Sequence, residues 1–155
     1  AFNSFILFCA KRFDDDELRD RFYLLRAAKD LRNACAHNCC ILNGLASGEN
    51  ARRANNGVMK ALGKIDGIGS YQRRARMSNE RIRQIVTTLY LHKEVSSKGV
   101  IEHKAQSLSK FISRANHNIN YYKGAEVITS SFSFLSKVIG AWYLCDAEDI
   151  PSCDS

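Results

Sequence analysis

The clearest helical pattern in this 155-residue chain lies in residues 17–37, which read ELRDRFYLLRAAKDLRNACAH. Apolar side chains recur there every three or four residues, at Leu18, Phe22, Leu25, Ala28, Leu31 and Cys35. This spacing places them on one face of a helix. Three aspartates at positions 14–16 offer an N-cap and first-turn acids, which suit the positive end of a helix. The pattern continues less cleanly to Leu45, so we expect one long helix or two in line with a break near Asn38.

Shorter periodic segments lie on both sides of this helix. They predict helices over residues 2–12, 58–65, 82–90, 101–115 and 128–143, with Ser78 or Asn79 as the cap of the third. Turn-rich stretches separate them at residues 47–56, 66–70, 96–99 and 116–124. No alternating strand pattern occurs, and the single proline, Pro151, lies close to the C-terminus. The chain is therefore expected to be an all-α bundle of four or five main helices.

Composition fits one soluble globular domain over residues 1–155, with 45% hydrophobic and 25% charged residues. No uninterrupted apolar run reaches the ~20 residues of a membrane span, so no membrane contact is expected. The six cysteines are irregularly spaced, and a chain of this length can bury a core without disulfides. We interpret them as reduced thiols of a cytoplasmic protein.

The net charge of +7 is concentrated in residues 51–83, which we call the basic segment. It contains nine Lys and Arg against two acidic residues, and the rest of the chain is neutral. Seven of the nine are Arg, which favours bidentate phosphate contacts. The residues expected to hold an RNA backbone, without base specificity, are Arg52, Arg53, Arg73, Arg74, Arg76 and Arg81. The alternative is a solvated surface loop and helix.

Residues 31–38, LRNACAHN, form the densest cluster of reactive side chains. Arg32 and His37 are five residues apart, which on a helix separates them by about 140° and about 7.5 Å of rise. They can therefore flank one shallow site from neighbouring faces. Asn33 lies between them and adds a hydrogen-bond donor.

These residue types suit the cleavage of RNA by its own 2′-hydroxyl. The reaction needs a base for the hydroxyl proton, an acid for the leaving 5′-oxygen and a cation near the phosphate. Histidine can serve as base or acid near neutral pH, and Arg offers a fixed positive fork to phosphate oxygens. One His cannot easily make both proton transfers, so two copies of the site from two subunits are expected.

Two other interpretations of the cluster stay open. Arg32 and His37 could only satisfy a contact between helices. Cys35, His37, Cys39 and Cys40 could hold zinc, but the chain has no partner pair of closely spaced cysteines, since Cys145 and Cys153 are eight residues apart. We therefore expect no metal and no cofactor.

Residues 32–37, RNACAH, resemble the Arg-(four residues)-His signature of HEPN domains, including the Asn that commonly follows the Arg. The flanks at residues 8–13, 18–20 and 29–43 are closer still to the Abi-like abortive-infection proteins of bacteria. The resemblance covers residues 2–45; over residues 90–143 only the helix pattern supports it, and the basic segment matches no motif of the family.

The resemblance implies an all-helical HEPN-like bundle that forms a homodimer. The two Arg-His motifs would meet at the dimer interface and form a metal-independent endoribonuclease of phage defence or of a toxin–antitoxin system. Arg32 and His37 would be catalytic and Asn33 would support them. The implied partners are RNA, a second copy of the chain and an antitoxin protein or RNA.

Two departures from the family pattern matter. HEPN toxins paired with nucleotidyltransferase antitoxins often carry Tyr two places after the His, and here that place is Cys39, which argues against silencing by tyrosine modification. The family-typical N-terminal region is also expected to be missing or shortened. The alternative functions are a non-catalytic dimeric module that binds RNA or protein, and a purely structural helical domain.

Overall fold

A computed structural model describes residues 2–37, 39–40, 45 and 54–144. This part of the chain folds into seven α-helices and contains no strand, which confirms the all-α class. The helices are α1 (Phe2–Arg12), α2 (Asp16–Ala36), α3 (Asn56–Gly63), α4 (Ser70–Ser78), α5 (Glu80–Val95), α6 (Lys98–His117) and α7 (Glu126–Ile139). A 3₁₀ turn, Ile119–Tyr122, precedes α7, and a π-helical turn, Gly140–Leu144, continues it.

Helix α2 begins and ends close to where its sequence pattern predicts. The Asp15 carboxylate accepts a hydrogen bond from the Leu18 backbone N–H at 3.0 Å, so it caps the helix. Asp14 takes a left-handed backbone (φ 51°), which lets the chain turn between α1 and α2. Helix α2 stops at Ala36, and Cys39 and Cys40 are not helical. One uninterrupted helix to Leu45 is therefore wrong, and the second helix of the other alternative falls on residues 41–44, which lie outside the described part.

The core forms where α2, α3, α4, α5 and α7 meet. It contains Leu24, Leu45, Val58, Leu62, Ile65, Ile68, Met77, Ile82, Val86, Phe134, Leu135, Val138, Trp142 and Tyr143. Helix α2 packs along α5 on one side and along α1 on another. Helix α6 has no fully buried residue and covers the core through half-buried Ile101, Ala105 and Leu108.

The sequence pattern does not predict helix α4. Its nine residues, SYQRRARMS, bury only Met77, and its N-cap Gly69 makes no side-chain hydrogen bond to the helix. A single buried apolar residue produces no periodic signal, because periodicity needs at least two turns of repeated apolar positions. The helix forms because Met77 packs in the core.

One helical stretch within the described residues, Glu126–Leu144, has the length and composition of a membrane span, with a mean hydropathy of 1.2. Its large apolar side chains Phe134, Val138, Ile139 and Trp142 lie in the core. A buried core helix can have the same length and composition, and 39% of this stretch is buried inside the structure.

Candidate functional site

The predicted catalytic cluster lies at the C-terminal end of α2. Arg32 and Asn33 belong to the last turns of the helix, and His37 is the first residue after it. The backbone N–H of His37 donates to the Asn33 carbonyl at 3.0 Å, so His37 still follows the helical path. Arg32 and His37 are exposed, and Asn33 is half-buried.

Asn33 restrains the guanidinium of Arg32. The Nη1 of Arg32 donates a hydrogen bond to Asn33 Oδ1 at 3.0 Å. The next residue, Ala34, is buried, whereas Arg32 and His37 are both exposed. Each chain therefore presents one guanidinium and one imidazole at the C-terminal end of α2.

This arrangement offers the two kinds of group that cleavage of a phosphodiester requires, a cation for the phosphate and a group that transfers protons. An exposed Arg can hold phosphate oxygens through two parallel N–H donors. An exposed imidazole can take up or release a proton near neutral pH. The two side chains start about 7.5 Å apart along the helix axis and about 140° apart around it, so they flank the end of α2 from neighbouring faces.

The described Arg residues of the basic segment differ in exposure and in their contacts. On α4, Arg74 is exposed, whereas Arg73 is half-buried against Gly63, where a Cβ would come within 2.9 Å of Arg73 Nη1. Arg76 Nη1 donates to Ser131 Oγ of α7 at 3.3 Å. On α5, Arg81 Nη1 donates to the side-chain oxygen of Gln84 at 2.9 Å. Arg52 and Arg53 lie outside the described residues.

Arg83 differs most from what its position in the basic segment suggests. It is 8% exposed. It lies one turn after Glu80 on α5 and lines the boundary with α2, not the outer surface. In the sequence, the charge of Arg83 adds to that of the basic segment. In the structure, the packing of α5 on α2 buries Arg83, so an RNA backbone at the surface cannot reach it.

A cleft of about 500 Å³ lies between α2, α5 and the start of α3. Sequence reasoning missed it. Its lining consists of Asp20, Tyr23, Arg26, Ala27, Asp30, Ala54, Asn55, Asn56, Glu80, Arg83, Gln84 and Thr87. The only available signal was a stripe of polar residues on α2 at helical spacing, Asp20, Tyr23, Arg26 and Asp30.

The charged side chains of the cleft are arranged as partners. Arg26 Nε lies 4.0 Å from Asp30 Oδ2. The side-chain amide of Gln84 donates to Glu80 Oε1 at 3.2 Å. Gln84 and Thr87 are buried, so they form the inner wall, while Tyr23, 52% exposed, stands at the rim.

The cleft and His37 share one face of α2, whereas Arg32 lies about 140° around the helix from His37. Residues 26, 30, 33 and 37 follow one another at steps of four, three and four, which is the spacing of one helix face. Asp30 at the end of the cleft and His37 are seven residues apart, or about 10 Å along the helix axis. A ligand in the cleft can therefore extend to His37.

The cysteines around His37 do not build a metal site among the described residues. Cys35, Cys39 and Cys40 are free and exposed, and no three His, Cys, Asp or Glu side chains of the described part converge. Cys145 and Cys153 lie outside that part. His103 and His117 are exposed, whereas His92 Nδ1 lies 3.1 Å from the Tyr143 hydroxyl at the edge of the core.

No protein-family model, no curated protein and no solved structure matches this chain.

Proposed function

We propose that this chain is a cytoplasmic, metal-independent endoribonuclease of the HEPN type that acts as a homodimer in phage defence or in a toxin–antitoxin system. One observation carries the proposal. Arg32 and His37 are both exposed at the same end of α2, and Asn33 holds the guanidinium by a hydrogen bond. A purely structural pair would be turned toward another helix.

In the proposed reaction, His37 of one subunit removes the proton from an RNA 2′-hydroxyl. The 2′-oxygen attacks the adjacent phosphorus, and the bond from phosphorus to the 5′-oxygen breaks. His37 of the partner subunit gives a proton to that leaving oxygen. Arg32 donates to the phosphate oxygens and stabilises the extra negative charge of the transition state. The products are a 2′,3′-cyclic phosphate and a 5′-hydroxyl.

Attraction of RNA to the site is proposed to come from the basic segment. Arg74 is its exposed member on α4, and the chain carries a net charge of +7. Contacts from such residues to phosphates strengthen binding without reading sequence and weaken as salt is added. An antitoxin, protein or RNA, would then act by covering Arg32 and His37.

The test is single-turnover cleavage of an end-labelled RNA in excess EDTA. His37→Ala and Arg32→Ala should each slow cleavage by about 100-fold or more, the usual contribution of general acid–base and charge-stabilising groups. His103→Ala and Arg114→Ala, which change exposed residues of the same types on α6, should cleave like the unmodified chain. Equal cleavage by the unmodified chain and by His37→Ala would refute the proposal.

The dimer is tested by dilution. If two copies of His37 form one site, the rate per chain falls once the protein is diluted below the dimer dissociation constant. Sedimentation under the same conditions gives the fraction of dimer, and the two curves should coincide. A rate per chain that stays constant while the dimer dissociates contradicts the composite site.

A second function, a dimeric binding module without catalysis, is favoured by a different observation. Four aromatic side chains on or beside α1 and α2 are more than half exposed, namely Phe5, Phe8, Phe13 and Tyr23. Exposed aromatic groups of this kind are enriched at interfaces with partners. Salt-sensitive RNA binding without any cleavage product would support this function over the nuclease.

A further inference from the structure

Three exposed cysteines surround His37 at the C-terminal end of α2. Cys35 lies in the last turn of the helix, two residues before His37, and Cys39 and Cys40 lie two and three residues after it. All three thiols are free. An exposed thiol is accessible to oxidants, and a second thiol beside it converts the first oxidation product into a disulfide. The end of α2 is therefore a candidate site of reversible thiol oxidation.

A backbone hydrogen bond draws Cys39 back to the end of the helix. The Cys39 N–H donates to the Ala34 carbonyl at 2.9 Å. Because this carbonyl belongs to the peptide unit that leads into Cys35, the bond keeps the Cα atoms of Cys35 and Cys39 within about 7 Å of each other. Disulfides join residues whose Cα atoms are about 4.4–6.8 Å apart. A small movement of the backbone is therefore enough to bridge Cys35 and Cys39.

Other pairs among the described cysteines fit a disulfide less well. Cys39 and Cys40 are neighbours, and the Cα atoms of neighbours are about 3.8 Å apart, which is shorter than in ordinary disulfides. Cys9 lies in the last turn of α1, which leads into the start of α2. Cys35 lies nineteen residues after that start, about 28 Å along the helix axis, so Cys9 is too far away. Cys35 and Cys39 are the pair that the backbone favours.

Hydrogen peroxide oxidises such a pair in two steps. The sulfur of one cysteine attacks a peroxide oxygen, the O–O bond breaks, and a sulfenic acid and one water form. The sulfur of the other cysteine attacks the sulfenic sulfur, so that the S–S bond forms and a second water leaves. The two thiols lose two protons and two electrons, and one peroxide is reduced to two waters. Thiol–disulfide exchange with two molecules of a small thiol reverses the reaction.

A bond between Cys35 and Cys39 closes a ring of five residues with His37 at its centre. The two sulfur atoms must come to about 2.05 Å from each other. Since both thiols are free in this structure, the turn that carries His37 has to tighten when the bond forms. A displacement of about 1 Å in a catalytic arrangement can slow a reaction about 100-fold. Oxidation of the pair therefore acts on the position of the imidazole.

We infer that Cys35 and Cys39 form a reversible dithiol–disulfide pair whose disulfide form restrains His37 and slows RNA cleavage. The effect on cleavage rests on the proposed nuclease function, whereas the disulfide itself is measured without RNA. Cytosolic disulfides are usually transient and redox-sensing, so the pair stays reduced until a peroxide oxidises it. The reduced chain is the active form.

Alkylation of the oxidised chain tests the pair. The full chain is treated with hydrogen peroxide, its free thiols are alkylated with iodoacetamide, and trypsin then releases residues 33–52, which contain Cys35, Cys39 and Cys40. This peptide should carry one added group and lack two hydrogens, and dithiothreitol before alkylation should raise the number to three. Three added groups after peroxide, or a disulfide to another peptide or a second chain, would overturn the inference.

A matched pair of variants assigns the bond. Cys39→Ser removes one member of the pair, and Cys40→Ser makes the same change at the exposed thiol beside it. After peroxide, the peptide of Cys40→Ser should keep the bridge and take up no alkyl group, whereas that of Cys39→Ser should take up two. A bridge that forms as fully in Cys39→Ser as in Cys40→Ser would overturn the assignment.

Single-turnover cleavage then measures the effect on His37. Peroxide should slow the unmodified chain and Cys40→Ser by about tenfold or more, dithiothreitol should restore both, and Cys39→Ser should not respond. A disulfide that forms without changing the rate would overturn the effect on His37. A chain that forms the disulfide but never cleaves RNA refutes the nuclease and keeps the pair, and a chain that cleaves but forms no disulfide does the reverse.

Discussion

The Tyr143 side chain makes two hydrogen-bond contacts with helix α5. It is almost fully buried, and its hydroxyl donates to the Leu89 carbonyl at 2.8 Å. Its oxygen also lies 3.1 Å from His92 Nδ1. Since the only hydroxyl proton goes to Leu89, the His92 Nδ1 must carry a proton and donate it to Tyr143. One residue thereby links the π-helical turn after α7 to α5.

Replacing Tyr143 by Phe should lower the free energy of unfolding by about 1–3 kcal/mol. The ring still fills its place, but the Leu89 carbonyl and His92 Nδ1 each lose a hydrogen-bond partner. Urea unfolding followed by circular dichroism measures the difference. The control is Tyr121→Phe, which alters a ring that is 86% exposed and should change stability by less than about 0.5 kcal/mol. Equal stabilities of the two variants would contradict this role of Tyr143.

The same variant should change the response to alkaline pH. Burial raises the pKa of Tyr143 from 10.0 to about 12. Between these values the unfolded chain has released the proton and the folded chain keeps it. Its contribution to stability is therefore complete below about pH 10 and is lost as the pH rises toward about 12, with a slope of at most about 1.4 kcal/mol per pH unit. Tyr143→Phe should show a shallower loss over this range in the same unfolding measurement.

At the scale of the helices, Asn79 caps the start of α5 and also contacts Leu45. Its Oδ1 accepts from the Ile82 backbone N–H at 3.0 Å, and its Nδ2 donates to the Leu45 carbonyl at 3.2 Å. The cap was predictable, because Asn before an apolar periodic segment is typical of a helix start. The contact with Leu45 was not, because the two residues are 34 positions apart in the chain.

Two substitutions at Asn79 separate these roles. Asn79→Asp keeps an acceptor for Ile82 and loses the donor to Leu45, so it should cost about 1 kcal/mol. Asn79→Ala loses both contacts and should cost about 2 kcal/mol in total. Thermal and urea unfolding of the three proteins should rank them as Asn, Asp and Ala in falling stability. Equal stabilities of Asn79→Asp and Asn79→Ala would mean that the cap contributes nothing to the stability of the protein.

At the scale of the whole molecule, stability depends on the core that α7 completes. Phe134 is fully buried, as are Val58 and Leu62 of α3 and Val86 of α5. These side chains come from three helices that are far apart in the sequence. Loss of a large ring in such a place leaves a cavity as well as removing apolar contact.

Phe134→Ala should therefore lower the free energy of unfolding by about 3–5 kcal/mol. This loss is a large part of the total unfolding free energy of a domain, which is typically about 5–15 kcal/mol. Phe13→Ala removes the same ring where it is 73% exposed and should cost less than about 1 kcal/mol. Chemical unfolding measures both, and a cost for Phe134→Ala near that of Phe13→Ala would show that the core does not depend on α7.

Much of this molecule follows from short stretches of sequence. The bounds of α1 and the N-caps of α2 and α5 agree with their apolar spacing and capping residues. The placement of Arg32, Asn33 and His37 on or next to α2 follows from the same local pattern. Capping and helical spacing act over three or four residues, so they can be seen in the sequence itself. The short, polar α4 could not be predicted from the sequence, because it has one buried residue and no repeat of apolar positions.

Only the tertiary structure decided which polar side chains meet. The cleft combines Arg26 and Asp30 with Glu80 and Arg83, residues some fifty positions apart. The bond from Arg76 to Ser131 joins two helices in the same way. Within a helix, the sequence determines which residues share a face. Which face then packs against another helix, and so which charges become buried partners and which remain for a ligand, depends on how the apolar faces of all the helices pack into one core.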